Sequence, residues 1–283
     1  MDNRLSFSII VGTILVFIGI RAGELEHIKM NFWKGTSCHQ QTVDTSNYNQ
    51  GIIRAKTYGT EYNWEEYKIR ELPDEFVDWS FNGRIESLKK IKKNEFPSFA
   101  GPHNAVVATQ AIRRFDTKFS INNAVKGMGF VPRRDKLKGV IELLQSTINR
   151  DKNEKIDILI NLYNKPNEVF DRTKQISLEL YSTPEFETHT FLNQMINPRT
   201  AIVFLDIPSF ELKVISQLLH PEDSELTEYE KDMIEYVNLI HSYFHGKFEK
   251  KFIATVYHVI EVYNNSPGKN GRGVRIVPES NKK

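Results

Sequence analysis

A single cysteine, Cys38, is all that the 283 residues contain, and one thiol can build neither an internal disulfide framework nor a zinc–thiolate cluster. An excess of charge of either sign is also lacking. The 38 basic and 36 acidic residues are well mixed and leave a formal net charge of +2, so there is no broad positive field to gather nucleic acid, and none is expected as a partner. The chain has no Gly-x-Ser-x-Gly elbow, Walker loop, dinucleotide fingerprint or His-Glu-x-x-His. That argues against nucleophilic hydrolases, nucleotide-triphosphate enzymes and helical zinc proteases. Cys38 and His39 are sequence neighbours, which does not by itself make a nucleophile and its base. No period of 20 to 50 residues repeats, so solenoids and propellers are excluded.

Hydrophobic residues at 40% and charged residues at 26% describe a folded body, but the first twenty residues depart from that mean. Leu5 to Ile20 reads LSFSIIVGTILVFIGI, uncharged throughout and flanked by Arg4 and Arg21. It is longer than the usual apolar core of a signal peptide and slightly short of the roughly 20 residues of a spanning helix. Cleavage after Ala22 would put Ile20 where a small residue is preferred. An uncleaved anchor is therefore expected, with a cleaved signal and a buried N-terminal helix as the alternatives. Location follows as membrane-anchored or secreted/periplasmic, with residues 5–20 as the membrane contact. The chain divides into 1–23, an anchor or signal; 24–100, a polar, aromatic-rich wrapping segment; and 101–283, an α+β, barrel-like domain.

Within that domain the apolar period switches repeatedly between helix and strand. Asp135 can cap a helix to about Asn149, with Leu137, Val140, Ile141, Leu144 and Ile148 on one face. Ile156, Ile158, Ile160 and Leu162 alternate with Asp157 and Asn161, and Ile176, Leu178 and Leu180 alternate with Gln175, Ser177 and Glu179, and each set predicts a half-buried strand. Thr183-Pro184-Glu185 has the makings of a helix start, running to about Asn197 before Pro198. Ala201 to Ile207 is nearly continuous apolar sequence, which suits a strand buried on both faces, and Pro208-Ser209 turns it into a hairpin with Phe210 to Ser216. Thr227 and Glu230 form a capping box ahead of a helix that ends at Gly246. Strands over 252–263 and 274–276 complete a fold expected to be α+β, a mostly antiparallel sheet or small split β-barrel with packed helices, preceded by an N-terminal hydrophobic helix.

A phosphate needs donors converging on one point, and a Ser/Thr-rich turn entering a helix offers hydroxyls, free amides and the positive end of the helix dipole together. Ser182, Thr183, Thr188 and Thr190 occupy such a turn. The stretch LELYSTPEFETHTFLNQMINPRTAIVFLDIPSFELKVIS, residues 178–216, resembles the flavin-binding split-barrel proteins related to pyridoxamine phosphate oxidase. In that family a strand, a Thr/Ser-rich turn, a short helix closed by Asn-Pro and a returning hairpin follow one another. The later EVYNNSPGKNGRGVRI resembles the way some members finish. The resemblance implies a flavin mononucleotide (FMN) or similar phosphorylated cofactor, oxidoreductase chemistry carried by that cofactor, and a homodimer with the cofactor between subunits. Family members usually carry a lysine or arginine on the helix, whereas this chain has Glu185, Glu187, His189 and Thr190 there. Compensation would have to come from Lys269, Arg272 and Arg275 in the glycine-rich turn.

Histidines supply the remaining signals. His241 and His245, spaced i, i+4 near a helix C-terminus, have the spacing of two metal ligands, but favourable interaction with the helix dipole is the preferred reading and no metal is assigned. His258 shares a strand face with Val256 and Ile260 and is expected in the core, while His103, in a Gly-Pro turn, is placed to line a pocket mouth. The rival to a cofactor-binding barrel is a non-enzymatic ligand- or protein-binding domain held at a membrane surface, with the aromatic-rich residues 31–81 as its contact surface.

Overall fold

The computed structural model describes residues 32–58, 62–111, 117–246, 248–268 and 273–278. The apolar run 5–20 and the basic residues Lys269 and Arg272 lie outside them. Among the described residues no helix is long and apolar enough to cross a membrane.

One antiparallel sheet organises the molecule. Its strands are β6 (Asn104–Gln110), β7 (Ile121–Gly127), β8 (Gly129–Pro132), β9 (Phe170–Glu179), β10 (Arg199–Phe204), β11 (Phe210–Leu219), β12 (Ile253–Asn264) and β13 (Val274–Val277). They run in the order β7-β6-β10-β11-β12-β9-β8, with β13 added to the far end of β12. The two outermost strands, β7 and β8, are separated only by Met128. One bent segment therefore pairs with β6 through its first half and with β9 through its second, and the sheet curls into a half-barrel. Because side chains alternate across a strand, β12 feeds two cores. Tyr257, Val259 and Val262 face the barrel interior with Val107, Ile202 and Leu212, while Ala254 and Val256 face outward with Ile176 and Leu178.

Helices close the openings. The described part of the wrapping segment contributes the short strands β1 (Trp33–Lys34), β2 (Ser37–Cys38) and β3 (Val43–Asp44), a hairpin of β4 (Ile52–Tyr58) and β5 (Tyr62–Lys68), and a helix α1 (Asp74–Lys92). Much of its aromatic content goes into packing. Phe76 and Trp79 lie against Phe204 and Phe210, with ring centroids 5.2 to 5.4 Å apart, and Phe81 lies 4.4 Å from Phe130. Lys89, Lys90 and Lys92 fall in the last turn of α1, where the helix dipole favours them. Next come α2 (Leu137–Thr147), α3 (Lys152–Tyr163) and the single turn α4 (Pro166–Val169). The second opening is stoppered by α5 (His189–Ile196), whose Phe191 stacks on Trp33. The long helix α6 (Glu228–His245) carries the expected Thr227/Glu230 capping box and packs on α2 over the outward core.

Three expectations are corrected. Residues 156–162 form α3, not a strand: Asp151 caps it by accepting from the amides of Asn153 and Glu154, and the buried pair Ile156 and Leu159 has helical spacing. The helix after Glu179 starts at His189 rather than Pro184, with Thr188 as its cap. β10 is buried on its inner face only, and Leu205 and Ile207 beyond it are 74% and 80% exposed.

Candidate functional site

Small residues at matching register positions make a hollow in the outer face of the sheet. Ala108 on β6 stands opposite Ala201 on β10, and Ala201 stands opposite Lys213 on β11. Two methyl groups side by side leave a low floor, where the next row along, Val106 and Val203, stands higher. The β4–β5 hairpin supplies the wall. Ile53 and Ala55 of β4 seat it on Ile215, with Tyr67 and Ile260 packed at the edge. This leaves a groove of about 620 Å³ above the alanines, bounded by Tyr67 and Glu65 on one side and by Gln110 and Ile121 on the other.

Its chemistry is graded along its length. The floor and one wall are apolar, and Arg199 and Lys213 bring positive charge to the rim. Tyr67 donates its phenol proton to Glu65 at 2.5 Å. Burial, reinforced by that carboxylate, pushes the Tyr67 phenol above its usual range, and the same hydrogen bond holds Glu65 below the usual carboxylate range. The pair is thus a neutral donor bound to an anion over a wide pH interval. Glu261 on the rim accepts from Tyr263 at 2.7 Å and from Arg275 at 3.5 Å, so the two carboxylates that line the groove are both engaged. The lining contains no cysteine, serine or histidine. The groove thus combines an apolar floor with two carboxylates, Glu65 and Glu261, and two cations, Arg199 and Lys213, of which Lys213 is ion-paired with Glu211.

The residues singled out from sequence fall in two places. Ser182, Thr183, Thr188 and Thr190 surround the start of α5, where they are occupied by one another and by the chain. Ser182 donates to Glu179 at 3.2 Å and accepts from the Thr188 amide, Thr188 accepts from the Phe191 amide, and Thr183 accepts from the Phe186 amide within its own turn. Thr190 is buried and accepts from Asn122 at 2.8 Å. The cation here is Lys126, held at 2.6 Å by Glu179. Arg275 is far off: β12 pairs with Glu179 through Ile253 and with Arg275 through Tyr263, ten positions further on and roughly 33 Å away along the strand. Arg275 reaches the groove instead, through Glu261. Lys269 and Arg272 lie outside the described residues.

The histidines are accounted for by packing. His258 is 2% exposed and shares a hydrogen bond of 3.0 Å with Gln217. His103 does not line the groove; it meets the Arg84 guanidinium at 3.3 Å, and burial together with that cation depresses its pKa to about 3. His241 and His245 have ring centroids 4.6 Å apart, and His241 stacks on Phe248. Among the described residues no group of three or more His, Cys, Asp or Glu side chains could hold a metal ion. Sequence reasoning missed the alanine floor, because two small residues 93 positions apart carry no signal until the register of β6 and β10 is known.

Strand order and closure through Met128 define a mixed α+β protein with a curled antiparallel half-barrel. No family model matches the chain, and no curated protein does. Among solved structures it is similar to a Clostridium acetobutylicum protein related to general stress protein 26 of Bacillus subtilis, of the pyridoxinephosphate oxidase family. The two share 10% identity over 72% of this chain and 95% of the other, with a TM-score of 0.30.

Proposed function

We propose that the protein binds FMN, or a similar planar phosphorylated cofactor, in the groove over Ala108 and Ala201. The observation that carries this reading is the paired-alanine floor, walled by Tyr67 and flanked by Arg199 and Lys213. A fused ring system lies flat on such a floor and buries apolar surface at about 25 cal/mol per Å², and a phosphate at the rim meets the two cations, with Arg275 next in line behind Glu261. Tyr67 offers an aromatic edge. Bound flavin would supply the redox chemistry, while the protein's own residues position the ring and neutralise the phosphate. Two further parts of the reading rest on sequence and surface. Residues 5–20 anchor the body to a membrane, and a second copy of the chain covers the exposed apolar face beside the groove, which Ile121 joins to the groove wall.

Titration of FMN into the full-length protein, followed by flavin fluorescence quenching, tests it. The parent should saturate. Ala201→Leu fills the hollow and should abolish saturation with the fold intact. Arg199→Gln with Lys213→Gln should weaken binding about ten- to a hundredfold, the equivalent of roughly 1.5 to 3 kcal/mol for hydrogen bonds to a charged group, with the larger loss at low salt. A parent that shows no saturable quenching at high micromolar FMN refutes the cofactor reading.

A further inference from the structure

The hairpin that walls the groove belongs to a sheet of its own. Among the described residues β3, β4 and β5 pair with one another, and no ladder joins them to the eight-stranded sheet beneath. Both ends of this strap are pinned to the body. Ahead of β3, Gln40 donates to the carbonyls of Gln194 and Ser216 and accepts from the Leu218 amide, and Thr42 donates to the carbonyl of Met195. After β5, the amides of Arg70 and Leu72 donate to the carbonyls of Val259 and Arg172. Between the pins, Ile53 and Ala55 seat the strap on Ile215, and the turn Tyr48–Gln50, which links β3 to β4, meets the body at a buried cation. The Tyr48 ring lies 4.6 Å from the Lys174 ammonium, and its phenol shares a hydrogen bond of 3.1 Å with Thr173. Lys174 is 1% exposed, paired with Asp171 at 2.6 Å and 5.4 Å from the ring of Tyr229.

A charge taken out of water is stable only while its partners keep good geometry, so a contact to it is worth more than one at the surface. The apolar seat is slight by comparison with the rest of the molecule. Ile53, Ala55 and Ile215 are the buried residues of that cluster, whereas extensive cores lie on both faces of the main sheet. Segments that bury little apolar surface open before the whole chain unfolds. We propose that the strap of β3, β4 and β5 is a lid on the outer face of the sheet, hinged at its two pinned ends and caught shut by Tyr48 on Lys174. Lifting it uncovers Ile215 and Ile260, which line the alanine-floored groove and pack against the strap. The groove then widens to admit its occupant and narrows around it; that step rests on the cofactor reading, whereas the hinges and the catch do not.

A thiol under the lid reads its opening. Ala55→Cys places one on the buried side of β4, and the native Cys38, 4% exposed in a different core cluster, reports unfolding of the body. Alkylation of the full-length Ala55→Cys protein, followed at each thiol by peptide mass spectrometry, should proceed at least tenfold faster at position 55 than at Cys38. Adding Lys174→Met should raise the rate at position 55 at least tenfold again and leave Cys38 unchanged. Tyr48→Leu, which spares the Lys174–Asp171 pair, should do the same even if the lysine variant fails to fold. Saturating FMN should slow labelling at position 55 at least tenfold. Equal rates at the two thiols, or acceleration at both or at neither in the catch variants, would overturn the lid. Bound FMN that leaves the rate at position 55 unchanged would overturn its closing on the occupant. Absence of FMN binding refutes the cofactor reading alone, and the labelling rates still decide whether the strap opens.

Discussion

His258 sits at register position 174 of β9, beside a buried ammonium. The ring is 2% exposed, and burial, with Lys174 adding to it, depresses its pKa to about 3 from the ordinary 6.5. Lys174 itself is kept charged: burial opposes its ionisation, but Asp171 at 2.6 Å and the rings of Tyr48 and Tyr229 outweigh it. The sign of the pH effect follows. Below pH 6.5 the unfolded chain binds a proton at this histidine that the folded chain refuses, so the contribution to stability is complete above 6.5 and is lost as pH falls towards 3. By pH 5 the loss is about 2 kcal/mol. Urea unfolding at pH 7.5 and pH 5 should show His258→Gln losing that much less stability than the parent between the two values, and equal slopes would show that the ring is not held neutral. The burial of His258 was legible in the sequence, because Val256 and Ile260 flank it at strand spacing. The arrangement around His103 was not: its environment is set by Arg84 of α1, which also donates to the carbonyls of Pro102 and Met128, and no local pattern connects those residues.

At the scale of elements, the Thr-rich turn separates what propensity can say from what geometry decides. Thr183-Pro184-Glu185 satisfies each local rule for a helix start, yet the backbone of 183–186 closes into a tight turn through two Thr183–Phe186 hydrogen bonds and the cap falls to Thr188. Packing explains the shift. Thr190, Phe191, Asn193 and Gln194 must all be buried under the barrel opening, and α5 fits there only as a short helix. Thr188→Ala should therefore cost about 1 kcal/mol of stability, a typical cap loss, whereas Thr183→Ala on an exposed turn should stay within about 0.5 kcal/mol. Chemical denaturation of both variants decides between the two starts, and a larger loss at Thr183 would restore the earlier one. Helix α3 teaches the complementary lesson. Ile156, Ile158, Ile160 and Leu162 alternate as a strand would, but Leu159 breaks the alternation and completes the helical face. The hairpin β10–β11, the capping box of α6 and strand β12 were legible because their signals are local: an apolar run turned at Pro208-Ser209, a Thr-x-x-Glu spacing and a long apolar stretch.

For the whole molecule, closure depends on contacts that no local reading could supply: one bent strand meeting both edges of the sheet, and α1 crossing an opening of the barrel. The same curvature leaves an apolar face outward. Val125 on β7, 71% exposed, stands opposite Val106, which stands opposite Val203; the exposed Leu205 follows two residues after Val203, and the exposed Ile121 lies beyond Asn123 on the same face of β7. Exposed apolar surface of that kind is a candidate interaction site. In the dimer reading a second copy covers it, and Ile121 ties that contact to the groove wall. Val125→Glu with Val106→Glu puts opposed like charges into the patch without touching either core, so the fold should survive while the dimer dissociates. Light scattering on the parent should give twice the chain mass, and on the double variant the mass of one chain. FMN binding should weaken with it, because the wall at Ile121 would then open to solvent. A parent that is already monomeric removes the second copy from the site, and a double variant that remains dimeric moves the interface to another face.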